Sequence, residues 1–249
     1  MRNRLLKSFA LFVLLAIVFA SYADNDNGDV VDLGLPSGVK WATCNVGATN
    51  PWDYGNYYAW GETDVKDDYS WETYKYCKGS YKTLTKYCFI DEWGNGGFTD
   101  TLTTLEAADD VATAVLGSDY SMPTAADWEE LSRECYWVWT TNYNNQNVSG
   151  CIVYKAKSAD DKGTKMYVSG TPSAPYFLSD PHVFLPAAGY YGNADNYDAG
   201  SSGFYWSASL FEYGPFNARF CVFNNNREVD SSNAYYRFCG LSVRPVQRK

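Results

Sequence analysis

The side chains able to do covalent or proton-transfer chemistry are few in this 249-residue sequence and poorly grouped. There are seven cysteines: Cys44, Cys77, Cys88, Cys135, Cys151, Cys221 and Cys239. None stands in a C-x-x-C pair, and with His182 as the single histidine a zinc site built from Cys and His lacks ligands. An odd count leaves at least one thiol unpaired within a monomer. Cys77 and Cys88 are close enough in sequence to bridge, and Cys221 and Cys239 could face each other across neighbouring strands, so the connectivity stays open. The acidic pairs Asp109–Asp110 and Glu129–Glu130 are adjacent in sequence, and adjacent helical residues point apart. Nothing in their spacing suggests two carboxylates held across a sugar. His182 follows Pro181 beside a strand with no legible Ser or Cys partner, which reads as structural. Asn193, Asp195, Asn196 and Asp198 form an oxygen-rich loop of the kind that can hold calcium, but such a loop is first of all a solvated turn. No catalytic residue, metal ligand or cofactor is assigned.

A different chemistry, contact rather than catalysis, is written between Gly203 and Pro245. Large rings alternate there with Asn, Ser, Gly and Asp, and charge is sparse. Rigid aromatics mixed with small adaptable polar residues have the composition of a recognition surface. The candidate contact residues are Phe211, Tyr213, Phe216, Asn217, Phe220, Asn233, Tyr235, Tyr236 and Phe238. Alternation along a strand buries every second side chain, so one of Tyr235 and Tyr236 is expected to face inward, and Tyr205, Trp206 and Phe223 are expected in the core. Trp41, Trp52, Trp60, Trp128, Trp137 and Trp139 read as scaffold core before sugar-stacking platforms. Arg244 reads as a structural charge turned inward.

The elements that must position these residues are legible in part. Arg2, Arg4 and Lys7 precede an apolar run from Ser8 to Ala20 that is too short to span a bilayer, and Ser21-Tyr22-Ala23 supplies small residues at cleavage-site spacing. Residues 1–23 therefore read as a secretory signal peptide, with an uncleaved N-terminal anchor as the alternative. Its removal takes away three basic and no acidic residues, moving the net charge from −9 to −12. So acidic a chain is not drawn to nucleic acid or anionic lipid. No later stretch has the length and apolarity of a membrane helix. Residues 24–249 suit one domain.

Residues 62–100 read as long loops pinned by buried Trp and Tyr. Two helices follow. Thr103 and Glu106 have capping-box spacing before LEAADDVATAVL, which Gly117 can end. Thr124 and Asp127 do the same before a run that places Trp128, Leu131 and Cys135 on one face. CIVYKAK, TKMYVSG, HVFLPAAGYY, FYWSASL, ARFCVFN and LSVRPV read as strands. The fold class is α+β, with two central helices, short antiparallel strands and long irregular loops.

Six ordered motifs, VDLGLPSGVKWATCNVGA, YYAWGET, YSMPTAADWEEL, VFLPAAGYY, FYWSASL and LSVRPV, resemble the major paralogous domain proteins of Fibrobacter and Bacteroidales over roughly residues 30–246. That family is similar to the C-type-lectin-like fold in its formylglycine-generating, sulfatase-modifying-factor branch. The tail, about residues 204–246, also resembles the variable region of diversity-generating retroelement target proteins. There, mutated Asn codons yield Phe, Tyr, Ser, Asp, Gly and Arg but not Lys, Gln or Met, and none of these last three occurs between Phe204 and Gly240. On that resemblance Trp206, Glu212 and Glu228 are constant scaffold positions.

The resemblance implies an exported, non-enzymatic protein of the periplasm or cell surface that binds a protein or glycan ligand through its tail. The oligomeric state is left open. One alternative is a copper and thiol oxidoreductase of the formylglycine-generating type using Cys221 and Cys239, although the residues flanking that enzyme's site are not recognisable. The other is a structural component of a surface assembly. The lectin class's Glu-Pro-Asn or Gln-Pro-Asp loop and Trp-Asn-Asp triplet are absent.

Overall fold

The computed structural model describes residues 30–163, 174–226 and 228–248. The expected signal segment 1–23 and the expected strand TKMYVSG lie outside them. In chain order the elements are β1 (Val30–Val31), β2 (Lys40–Ala42), β3 (Tyr57–Tyr58), α1 (Val111–Leu116), β4 (Tyr120–Ser121), α2 (Ala125–Glu134), β5 (Cys135–Thr140), β6 (Gly150–Lys155), β7 (His182–Pro186) and β8 (Tyr190–Gly192). They continue with β9 (Asp195–Tyr197), β10 (Ser202–Leu210), β11 (Asn217–Asn224), β12 (Val229–Tyr236), β13 (Leu241–Ser242) and β14 (Val246–Gln247). The architecture is α+β and rich in sheet. Among the described residues no helix is long and apolar enough to cross a membrane.

The sheet that carries the tail has the order β12-β11-β10-β13-β3. Its long strands β10, β11 and β12 pair antiparallel, with Trp206 opposite Phe220 and Phe220 opposite Asn233. Side chains alternate between its two faces, and each face covers a core. Tyr205, Cys221 and Phe223 pack on one side with Trp128 and Leu131 of α2. Trp206, Ala208, Ala218 and Phe220 pack on the other side with Trp60, Tyr74 and Tyr87 from the long 59–106 connection. A second sheet, β5-β6-β7, is apolar on both faces. Trp137, Cys151, Val153, Val183 and Leu185 join the core under α2, whereas Tyr136, Ile152, Tyr154 and Phe184 form a separate cluster outside it. Burial on both faces is why these strands read as unbroken hydrophobic runs. Strands β1, β2, β14 and β4 form a third sheet in which β1 and β14 flank β2, and β8 and β9 form a hairpin.

Helix α2 forms where its sequence places it. The Thr124 hydroxyl accepts from the Asp127 amide and the Asp127 carboxylate accepts from the Thr124 amide at 2.6 Å, closing the capping box. Arg248 reaches Asp127 from the C-terminal segment. Burial alone would raise the Asp127 carboxyl, but Arg248 and Thr124 hold it below its usual value.

Helix α1 corrects the reading from Thr103. It starts seven residues later, with Asp110 as its cap, accepting from the Thr113 amide. Residues 103–105 run extended instead, because they pair with the edge of β10: Leu105 N–H donates to Ala208 O and Leu210 N–H donates to Thr103 O. Tertiary pairing took the backbone groups that a cap would have used. Gly117 ends the helix as expected, at φ 92°.

Candidate functional site

The organising residue of the site is Arg237, which directly follows β12 and is fully buried. Among the described residues it bonds no carboxylate. Its guanidinium donates to the carbonyl oxygens of Pro215 (2.7 Å), Tyr87 (3.1 Å) and Lys86 (3.1 Å), and to the Tyr74 hydroxyl (2.9 Å). The rings of Trp60, Tyr74 and Tyr87 lie within 5.0–5.7 Å of it and supply further cation–π stabilisation. One side chain thus ties the 74–87 loop to the tail. The fork of donors is what allows it, since a planar guanidinium can serve several carbonyls at once.

Held in this way, the loop and the tail share a surface of six rings. Trp71, Tyr236 and Phe238 form one triad, with Trp71 5.0 Å from Phe238 and the Tyr236 and Phe238 rings stacked at 5.6 Å. Tyr81, Trp93 and Phe216 form another, at 5.1–5.8 Å. The triads meet through Trp71–Tyr81 and Phe216–Tyr236, both at 6.3 Å. Tyr236 is 48% exposed and Tyr81 39%, while Trp71, Trp93, Phe216 and Phe238 are half-buried.

Tyr235 continues the surface. Its ring is 6.2 Å from Tyr236 and 5.2 Å from Tyr190 of the β8–β9 hairpin, which in turn stacks on Tyr197. Burial, and then the Tyr190 hydroxyl beside it, push the Tyr235 phenol above its ordinary value, so it remains a neutral group through physiological pH. The hairpin's position depends on Gly189 at φ 66°, where a Cβ would run into the Tyr197 carbonyl.

The predicted contact residues divide. Phe216, Tyr235, Tyr236 and Phe238 belong to this surface. Tyr235 leans inward on Phe204 and Phe220 while Tyr236 stands out, as alternation requires. Phe211 and Tyr213 form a second, separate group. Their rings are 5.4 Å apart, and the Arg219 guanidinium lies 5.0 Å over Phe211 while pairing with Glu212. Tyr213 is 79% exposed. Asn217 is half-buried at the head of β11, and Asn233 is exposed and donates to Asp230.

Phe220 is a correction. At 4% exposure it is core, because its register opposite Trp206 turns it onto the buried face. Tyr205, Trp206 and Phe223 are fully buried, as are Trp41, Trp60, Trp128 and Trp137; Trp52 and Trp139 are half-buried. Arg244 is buried too, donating to the Ala42 and Phe184 carbonyls and to the Asn45 side chain.

The groups suited to covalent chemistry are packed away. All seven cysteines are unpaired and buried. Cys221 lies in the core under α2 and Cys239 in the core on the opposite face, so the two do not meet across strands. Burial pushes the Cys239 thiol up to about 12 and the Cys221 thiol up as well, the reverse of what an attacking or metal-binding thiolate needs. His182 bonds Tyr143 and the Asp180 carbonyl, both at 2.8 Å. Asp109 and Asp110 point apart: Asp110 caps α1, and Asp109 accepts from Lys86 and the Tyr76 and Tyr87 hydroxyls. Desolvation would raise the Asp109 carboxyl, but these donors hold it below its usual range. Among the described residues no group of three or more His, Cys, Asp or Glu is placed to hold a metal ion.

Trp71, Tyr81, Trp93, Tyr190 and Tyr197 are members that the sequence reading missed. For Trp71, Tyr81 and Trp93 the one signal available was the aromatic richness of residues 62–100, which reads equally as loop anchors; Tyr190 sat in the strand-like HVFLPAAGYY and Tyr197 in the oxygen-rich loop from Asn193 to Asp198. No protein-family model, curated protein or solved structure matches this chain.

Proposed function

We propose that this is an exported, non-enzymatic binding protein of the C-type-lectin-like fold, akin to the major paralogous domain proteins, whose protein or glycan ligand docks on the aromatic surface. The observation that carries the reading is the six-ring group shared by loop and tail, with Tyr81 and Tyr236 standing in solvent and their neighbours half-buried behind them. Rings braced by other rings lose little freedom on binding, which lowers the cost of association. Each Å² of apolar area covered contributes about 25 cal/mol before that cost. Asn, Ser and Asp side chains on β12 supply the polar rim. The exposed rings of a tail whose residues resemble a diversified segment suit a surface that varies on a constant scaffold. The periplasm or cell surface is the proposed location, with no nucleic acid partner and no integral span after signal cleavage.

The test is binding by the wild-type protein and by the Tyr81→Ser/Tyr236→Ser variant on a printed glycan array and a displayed-peptide library. At least one ligand class is held by the wild type and weakened ~30-fold or more in the variant, as expected for hot-spot rings. The melting temperature moves by less than about 5 °C. Equal binding by both proteins, or no ligand retained by either, contradicts the proposal.

A further inference from the structure

Four of the six rings form a closed circuit. Trp71–Tyr81, Tyr81–Phe216, Phe216–Tyr236 and Tyr236–Trp71 are separated by 6.3, 5.8, 6.3 and 6.3 Å between centroids. The diagonal pairs, Trp71 with Phe216 and Tyr81 with Tyr236, are not in ring contact among the described residues. Phe238 packs on both rings of the Trp71–Tyr236 side and Trp93 on both rings of the Tyr81–Phe216 side. We propose that Trp71, Tyr81, Phe216 and Tyr236 are the walls of an aromatic box that takes a quaternary ammonium group. The proposal rests on the reading of this surface as a binding surface and names the chemistry of its ligand.

Four centroids so spaced surround a point roughly 4.5 Å from each, inside the ~6 Å over which a ring face attracts a cation. Two walls, Tyr81 and Tyr236, are exposed, so the box opens to solvent. A permethylated ammonium suits walls of this kind better than a primary amine does, because it has no N–H in need of an acceptor and presents methyl groups to the rings.

Two further observations point to a cation. The Lys82 ammonium already lies 5.9 Å from the Tyr81 centroid and 5.7 Å from that of Trp93, so ring faces on this side are turned to receive positive charge. Among the described residues it lies over no ring of Trp71, Phe216 or Tyr236. The chain is acidic, and exposed Glu72, Asp91 and Glu92 adjoin Trp71 and Trp93 in sequence. Lys82 itself repels a bound cation.

The experiment titrates the full chain with choline chloride at constant ionic strength, following tryptophan fluorescence. The control is choline's uncharged carbon isostere, in which a tert-butyl group replaces trimethylammonium. Choline gives a saturable change and the isostere binds at least ~10-fold more weakly. Tyr81→Leu and Tyr236→Leu keep apolar area but remove a π face, so each weakens choline roughly two- to fivefold and leaves the isostere unchanged. Lys82→Gln tightens choline. Equal binding of the two compounds, indifference of choline to the leucine variants, or no saturable signal overturns the box. If choline fails while array ligands are still lost from Tyr81→Ser/Tyr236→Ser, the ammonium chemistry falls and the binding surface stands. If array ligands survive those substitutions, the binding surface itself falls.

Discussion

Replacing Arg237 with Met lowers the melting temperature by roughly 10 °C or more. The substitution keeps much of the side-chain volume and removes every donor. The carbonyls of Pro215, Tyr87 and Lys86 and the Tyr74 hydroxyl stay where they are, buried and with that donor gone. A stranded buried acceptor costs about 1–3 kcal/mol, so the four groups together cost roughly 4 kcal/mol or more even at the low end. For a chain of this length each kcal/mol is worth about 2–4 °C. Lys at the same position recovers less than half the loss, since one ammonium cannot fork to three carbonyls. Amide exchange should quicken first in residues 74–95, and Trp71, Tyr81 and Trp93 should part from Phe216 and Tyr236. A variant that melts with the wild type would mean that Arg237 does not organise the loop. Thermal unfolding followed by circular dichroism, with hydrogen exchange on the same samples, decides it.

The second large effect separates the tail's core rings from its surface rings. Phe220→Ala leaves a cavity between Phe204, Trp206 and Tyr235 and costs about 3–5 kcal/mol. Tyr213→Ser, at a ring standing almost wholly in solvent, changes stability by no more than about 0.5 kcal/mol. Sequence composition cannot tell these two residues apart, since both are tail aromatics among small polar neighbours. Urea denaturation of the two variants gives the comparison. Similar costs at both positions would contradict the division of the tail into a buried and an exposed face.

What the sequence made legible follows from how local the determining physics is. The α2 cap rests on Thr124 and Asp127, three residues apart, so it could be read directly. Tyr205, Trp206 and Phe223 were expected inside and are buried, Tyr205 and Trp206 on opposite faces of β10 because both faces of that sheet are covered. The start of α1 was misread because the backbone at 103–105 is claimed by β10, about a hundred residues away. Strand β5 was hidden by its neighbour: Cys135 ends the helical face of α2 and, in extended geometry, begins the next strand. Strand β12 was hidden by its polar composition, because residues from Val229 to Tyr236 lie at a sheet edge with much of their surface in water.

The site was half visible for the same reason. Phe216, Tyr235, Tyr236 and Phe238 announce themselves as a cluster in the chain. Trp71, Tyr81 and Trp93 lie more than a hundred residues away in the chain, in the loop that the Arg237 hydrogen bonds tie to the tail, and Arg237 itself looked like one more residue of a variable tail. The buried charge that shapes the surface was therefore the least conspicuous part of it.

The central claim is that ring-bearing side chains of the loop and tail face water as one surface, and hydroxyl-radical footprinting of the free protein, read by mass spectrometry, addresses it most directly. Tyr81, Tyr197, Tyr213 and Tyr236 should oxidise readily, while Tyr74, Tyr87, Tyr205 and Phe220 stay protected. Protection of Tyr81 and Tyr236 to the level of Tyr205 would contradict the account.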